Sequence, residues 1–181
     1  AYILLGVGEY STSSRFVLAV MLMIMFSLTK SELALLRRLN SPKKIQDYLN
    51  MLPQNHEPEG DTCFSPRTVI EEKRAHCIEG AMFAALAFRV HGQKPLVLDL
   101  TSSKHDFDHV VAPFKQHGCW GAVSKTNHAV LRYREPVYKT IRELALSYFH
   151  EYFDKKGFKT LRSYSQPVDL SRFDAREWMT N

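Results

Sequence analysis

The stretch Arg74-Ala75-His76-Cys77-Ile78-Glu79-Gly80-Ala81 decides how the chain is read. A polar loop turns there into an apolar helix, and a cysteine stands at the joint. From Ile78 onward, Ile78, Ala81, Met82, Ala85 and Phe88 follow helical spacing. Gly80, Ala81, Ala84 and Ala85 are small, so the first turns can approach neighbouring backbone closely. Cys77 is expected at or near the helix N-terminus. Unpaired N–H groups and the positive end of the dipole stabilise a thiolate in that position. Further on, Asp108-His109-Val110-Val111-Ala112 reads as a histidine leading an apolar strand. A thiol on a helix start and an imidazole on a strand suit nucleophilic thiol catalysis. The competing reading is a buried, inert cysteine.

Upstream of this joint the chain reads as helices. Ser31 is the expected cap of a first helix carrying Leu33, Leu35, Leu36 and Leu39. Ser41-Pro42 marks a second start, with Ser as N-cap and Pro at the first helical position. Ile45, Tyr48, Leu49 and Leu52 give that helix its apolar face, and Pro53 ends it. Residues 53–61 read as a polar loop, and Ser65-Pro66 opens a short third helix. The Cys77 helix is expected to stop at His91-Gly92, where Gly suits a left-handed cap.

Downstream the character changes to strands. Residues 95–100, 109–114 and 119–123 read as three strands, the last two forming a hairpin around residues 115–118. Residues 129–133 are a candidate fourth strand, and residues 138–153 read as one long helix. The tail to Asn181 is expected to wrap the surface. Helices followed by antiparallel strands argue an α+β domain.

Composition bounds the function. The chain has 181 residues, enough for one domain with a real core or one domain with an appendage. The net charge of +5 is spread without a basic block, so no nucleic-acid partner is called for. Cys63, Cys77 and Cys119 are odd in number and include no CxxC pair. Reduced thiols in a cytoplasmic setting fit that pattern. His105 and His109 with His76 and Cys77 resemble a metal set. Two histidines four apart share a face only within one regular helix or strand, however, and His105 lies in a polar loop, so no metal or other cofactor is expected. Residues 16–28 are apolar apart from Ser27, too short for a span of about 20. Residues 1–26 are therefore read as signal-like, anchor-like or outside the fold, and 27–181 as the domain with its tail. Membrane association follows only if the segment is an anchor.

Three pieces together resemble the transglutaminase-like superfamily, within the papain-like cysteine fold. They are His76-Cys77-Ile78-Glu79-Gly80-Ala81, Asp108-His109-Val110-Val111, and Gly118-Cys119-Trp120-Gly121-Ala122-Val123-Ser124. The likeness is to the small bacterial members and covers about residues 31–154. It implies a nucleophile helix packed on a small antiparallel sheet, with Cys77 as nucleophile and His109 as general base. The family's aspartate would fall at Ser124, which accepts a hydrogen bond but supplies no charge. Asn127 is the alternative partner for the imidazole. The implied activity is that of a thiol-dependent hydrolase or acyltransferase acting on a peptide or small amide. A weak or inactive binding module is the alternative that Ser124 raises. His76, next to Cys77, reads as poorly placed to be its base.

Overall fold

The computed structural model of the chain describes residues 20, 26–58 and 60–181. Helix α1 (Lys30–Arg38) starts from Thr29, not from Ser31. The Thr29 hydroxyl accepts from the Glu32 N–H, and the Glu32 carboxylate accepts from the Thr29 N–H at 2.6 Å. That reciprocal box satisfies two end donors and outcompetes a lone serine cap. Helices α2 (Pro42–Met51) and α3 (Pro66–Glu72) begin where the Ser-Pro pairs place them, with Ser41 and Ser65 accepting from Lys44 and Thr68 N–H groups. Helix α4 (Cys77–Val90) ends at Gly92, whose φ of 80° lets its N–H and that of Gln93 return to Arg89 and Phe88 carbonyls.

Among the described residues, six strands form an antiparallel sheet: β1 (Leu96–Thr101), β2 (His109–Gln116), β3 (Cys119–Val123), β4 (Arg134–Tyr138), β5 (Ser163–Tyr164) and β6 (Val168–Asp169). Their order is β4-β3-β2-β1-β5, with β6 also on β1. The β2–β3 hairpin turns on His117 and Gly118, both at positive φ, as a two-residue turn with strand-like twist requires. Ala112, Phe114 and Val123 on one face pack on α4, which is buried almost all round between this sheet and the other helices. Leu98, Leu100, Val111 and Ala122 on the other face cover Leu144, Tyr148 and Tyr152. The architecture is α+β, helices first and a small antiparallel sheet after.

Two elements differ from the sequence reading. Residues 129–133 hold a 3₁₀ turn (Ala129–Leu131), and the fourth strand lies beyond it. The long helix over 138–153 is reduced to α5 (Ile141–Leu146) and a 3₁₀ turn at Phe149–Glu151. Arg134 is the cause. Its guanidinium donates to the hydroxyl and carbonyl of Ser147 and to the Glu151 carboxylate, and lies 4.0 Å from the Tyr148 ring centroid. The aromatic spacing records burial against one face of the sheet, not an unbroken helix.

The tail is structural. It supplies β5 and β6, and Asp174 takes both ends of the Arg89 guanidinium at 2.6 Å. Trp178 and Met179 are buried. Arg89 also lies 4.3 Å from the Phe26 ring centroid, and Phe26 belongs to the core. Apart from Val20 and Phe26, the reading of residues 1–26 falls outside the described residues. Among the described residues, no helix is long and apolar enough to cross a membrane.

Candidate active site

Cys77 is the first residue of α4 and lines a cleft of about 640 Å³ with Gln54, His76, His109, Lys125 and Tyr152 among others. Its sulfur abuts the entry to β2, 4.0 Å from the Asp108 carbonyl oxygen. Burial disfavours the thiolate, but the imidazoles of His109 and His76 and the Val110 N–H outweigh it, holding the Cys77 thiol down to about 6. Cys63 behaves oppositely: burial and the Glu79 and Glu57 carboxylates push its thiol up. Cys119 is buried beneath Lys139, whose ammonium lies 3.3 Å from the sulfur.

His76 lines this cleft as well; the sequence reading places it poorly as the base of Cys77, and the geometry gives it another role. It is the N-cap of α4, and its Nε2 lies 3.1 Å from the Thr62 carbonyl and 3.3 Å from the carboxylates of Glu57 and Glu79. All three neighbours only accept, so Nε2 bears a proton and donates, leaving Nδ1 for the thiol side. Burial opposes the imidazolium, yet Cys77, Thr62 and Glu79 together push His76 up to about 9. At neutral pH the pair is therefore a thiolate beside an imidazolium.

Glu79 anchors that arrangement. Its carboxylate is fully buried and accepts from Asn55 Nδ2, Thr62 Oγ1, the Phe64 N–H and the His76 N–H at 2.8–3.2 Å. The chain supplies these donors by laying residues 53–55 beside Ala75: the Asn55 N–H donates to Ala75 O, and the Ala75 N–H to Pro53 O. Glu79 does more here than complement the helix dipole. A glutamate three residues after His76, the sole acidic residue of α4, is the signal in the sequence. The Thr62 N–H and then His76 hold the neighbouring Glu57 carboxyl below its usual range.

The loop before β2 is laced in the same way. The Ser102 N–H donates to Asp108, the Ser102 hydroxyl to Asp106 O, and the Tyr152 hydroxyl to Phe107 O at 2.6 Å. This fixes His109, 6% exposed, at the cleft. Its Nε2 is buried with no hydrogen-bond partner among the described residues.

Ser124 and Asn127 are not brought to that nitrogen. The Ser124 hydroxyl donates to the Leu131 and Arg132 carbonyls at 2.8 and 2.9 Å. Its backbone exchanges two hydrogen bonds with the Gln46 amide, tying β3 to α2. Asn127 is exposed. Register explains the miss. Ala112 pairs with Val123, and continuing that ladder would bring Thr126, not Ser124, opposite His109. Thr126 is buried in the cleft wall, its hydroxyl accepting from the His128 N–H. Among the described residues, no group of three or more His, Cys, Asp or Glu side chains is placed to hold a metal. No protein-family model matches the chain, and no curated protein matches it.

Proposed function

We propose that the protein is a thiol-dependent hydrolase or acyltransferase of the transglutaminase-like, papain-like type, acting on an amide or related acyl compound. The observation that carries this reading is Cys77 on the first turn of α4, lining one cleft together with the imidazoles of His76 and His109; the depressed thiol is in keeping with it. The α+β order and the closeness of Cys77 to His109 support it.

The thiolate attacks the acyl carbon, and the carbonyl π pair moves onto oxygen. On collapse the carbon–nitrogen bond breaks, its electron pair goes to nitrogen, and His109, which has taken the proton of the Cys77 thiol, passes it to the leaving amine. Water or a second amine then attacks the resulting thioester and gives a proton back to His109; the sulfur–carbon bond breaks, its electron pair returns to sulfur, and the thiolate is restored. His76 stays charged throughout and stabilises each return of negative charge to sulfur. The Cys77 N–H has no intrahelical acceptor, and Gln54 lines the cleft beside Ala75, so both offer donors to the oxyanion.

A second reading is a weak or inactive binding module, favoured by the unpartnered Nε2 of His109. An electrophilic thiol probe followed by a library of amides separates the two. The enzyme reading expects labelling at Cys77, amide turnover, and loss of both in Cys77→Ser. Labelling with no acyl-enzyme from any amide supports the module.

A further inference from the structure

Lys125 is a charged group of the cleft that the thiol chemistry leaves unused. It is 4% exposed, yet it lines the cleft. Lysine is rarely buried without a counter-charge. Its stem is seated on the bare backbone of the first turn of α4. A Cβ on Gly80 would stand 2.4 Å from Lys125 Cβ and 3.3 Å from its Cγ. The stem is thereby fixed one turn from Cys77, on a residue that lines the cleft.

Among the described residues no carboxylate lies within ion-pair distance of it. The nearby charge is Arg132, which adds to desolvation in disfavouring the ammonium. Carboxylates of the cleft are engaged elsewhere: Glu57 with Thr62 and His76, Asp106 with Thr160, Asp108 with Ser102, Glu151 with Arg134. Asp61 is exposed at the rim. A buried cation without a protein anion, open to a cleft beside a nucleophile, is a seat for an anion brought by the ligand.

We propose that Lys125 binds a carboxylate of the substrate, so that the acyl compound presented to Cys77 carries one close to its reacting carbonyl. The reaction named here rests on the thiol reading above, but the anion seat does not. One ammonium matches a single negative charge, while Asp61, Asp108 and Glu151 around the cleft repel a phosphate dianion about twice as strongly as a carboxylate.

Iodoacetate and iodoacetamide test this, because they share reach and leaving group and differ only in carboxylate against carboxamide. The rate of Cys77 alkylation by each is read by peptide mass spectrometry in wild type, Lys125→Met and Lys125→Arg. The iodoacetate-to-iodoacetamide ratio should fall about tenfold in Lys125→Met and stay within about threefold in Lys125→Arg. An unchanged ratio in Lys125→Met overturns the proposal. Binding of N-acetylglycine, followed by ligand-observed NMR, is independent of the thiol and should weaken about tenfold in Lys125→Met. If Cys77 is inert to both reagents the thiol reading fails, and N-acetylglycine still decides the lysine. Should Lys125→Met not fold, wild type decides: N-acetylglycine must bind in preference to N-acetylglycinamide, and equal binding refutes the seat.

Discussion

Replacing His76 with Gln removes the imidazolium that faces Cys77 while keeping a donor for the Thr62 carbonyl. The thiol is held at about 6 against an ordinary value of 9.0, a difference worth about 4 kcal/mol in favour of thiolate. Losing one of two flanking imidazoles should raise the midpoint by at least about one pH unit. At pH 5.5 the thiolate fraction then drops about 8-fold, while the intrinsic nucleophilicity of the more basic sulfur rises about 3-fold. Alkylation by iodoacetamide should thus be about 3-fold slower at pH 5.5 and about 3-fold faster at pH 9 in His76→Gln. The two rate profiles must cross. A variant that merely perturbed the fold would change the rate in one direction at every pH. Stopped samples from pH 4.5 to 9.5, read by peptide mass spectrometry, give both curves. Identical midpoints in wild type and His76→Gln would refute the role given to His76.

Three further outcomes follow from geometry. Phe26→Ala removes a core ring that Arg89 covers and should cost about 3–5 kcal/mol in urea unfolding; a loss below 1 would place Phe26 outside the cooperative core. Gly80→Ala ordinarily strengthens a helix by about 1 kcal/mol, but the new methyl meets Lys125 Cβ at 2.4 Å, close to the backbone, where it yields little. A net loss of about 2 kcal/mol is expected, and a gain in thermal midpoint would contradict the contact. Ser124→Ala leaves the Leu131 and Arg132 carbonyls without their donor and should cost about 1–3 kcal/mol, with the pH profile of Cys77 alkylation unmoved. A moved profile would return Ser124 to the site.

Much of this architecture is local, and local order is what a sequence carries. Ser41-Pro42 and Ser65-Pro66 set two helix starts because N-cap side chains bond N–H groups three residues away. The short apolar runs gave the order of strands, and β3 falls on Cys119–Val123 as its residues indicate. The helix start at Cys77 and the strand start at His109 were legible for the same reason. The fourth strand, the shortened α5 and the structural tail were not. Each depends on a distant partner: Arg134 on Ser147 and Glu151, Asp174 on Arg89.

The site divides along the same line. Sequence alone determined that a thiol stands on a helix start and an imidazole on a strand, since cap chemistry and periodicity act over a few residues. Tertiary structure decided what surrounds them. A loop folded back beside Ala75 brings Asn55 and Thr62 to Glu79, and so makes His76 a fixed cation beside the sulfur. The β2–β3 register, together with the carbonyls of Leu131 and Arg132, takes Ser124 away from His109. Close approach at Gly80 seats Lys125 over the first turn of α4. None of these is encoded in spacing, because each is fixed by which segments meet across the fold, and a shift of one residue in register turns every side chain of that strand to the opposite face.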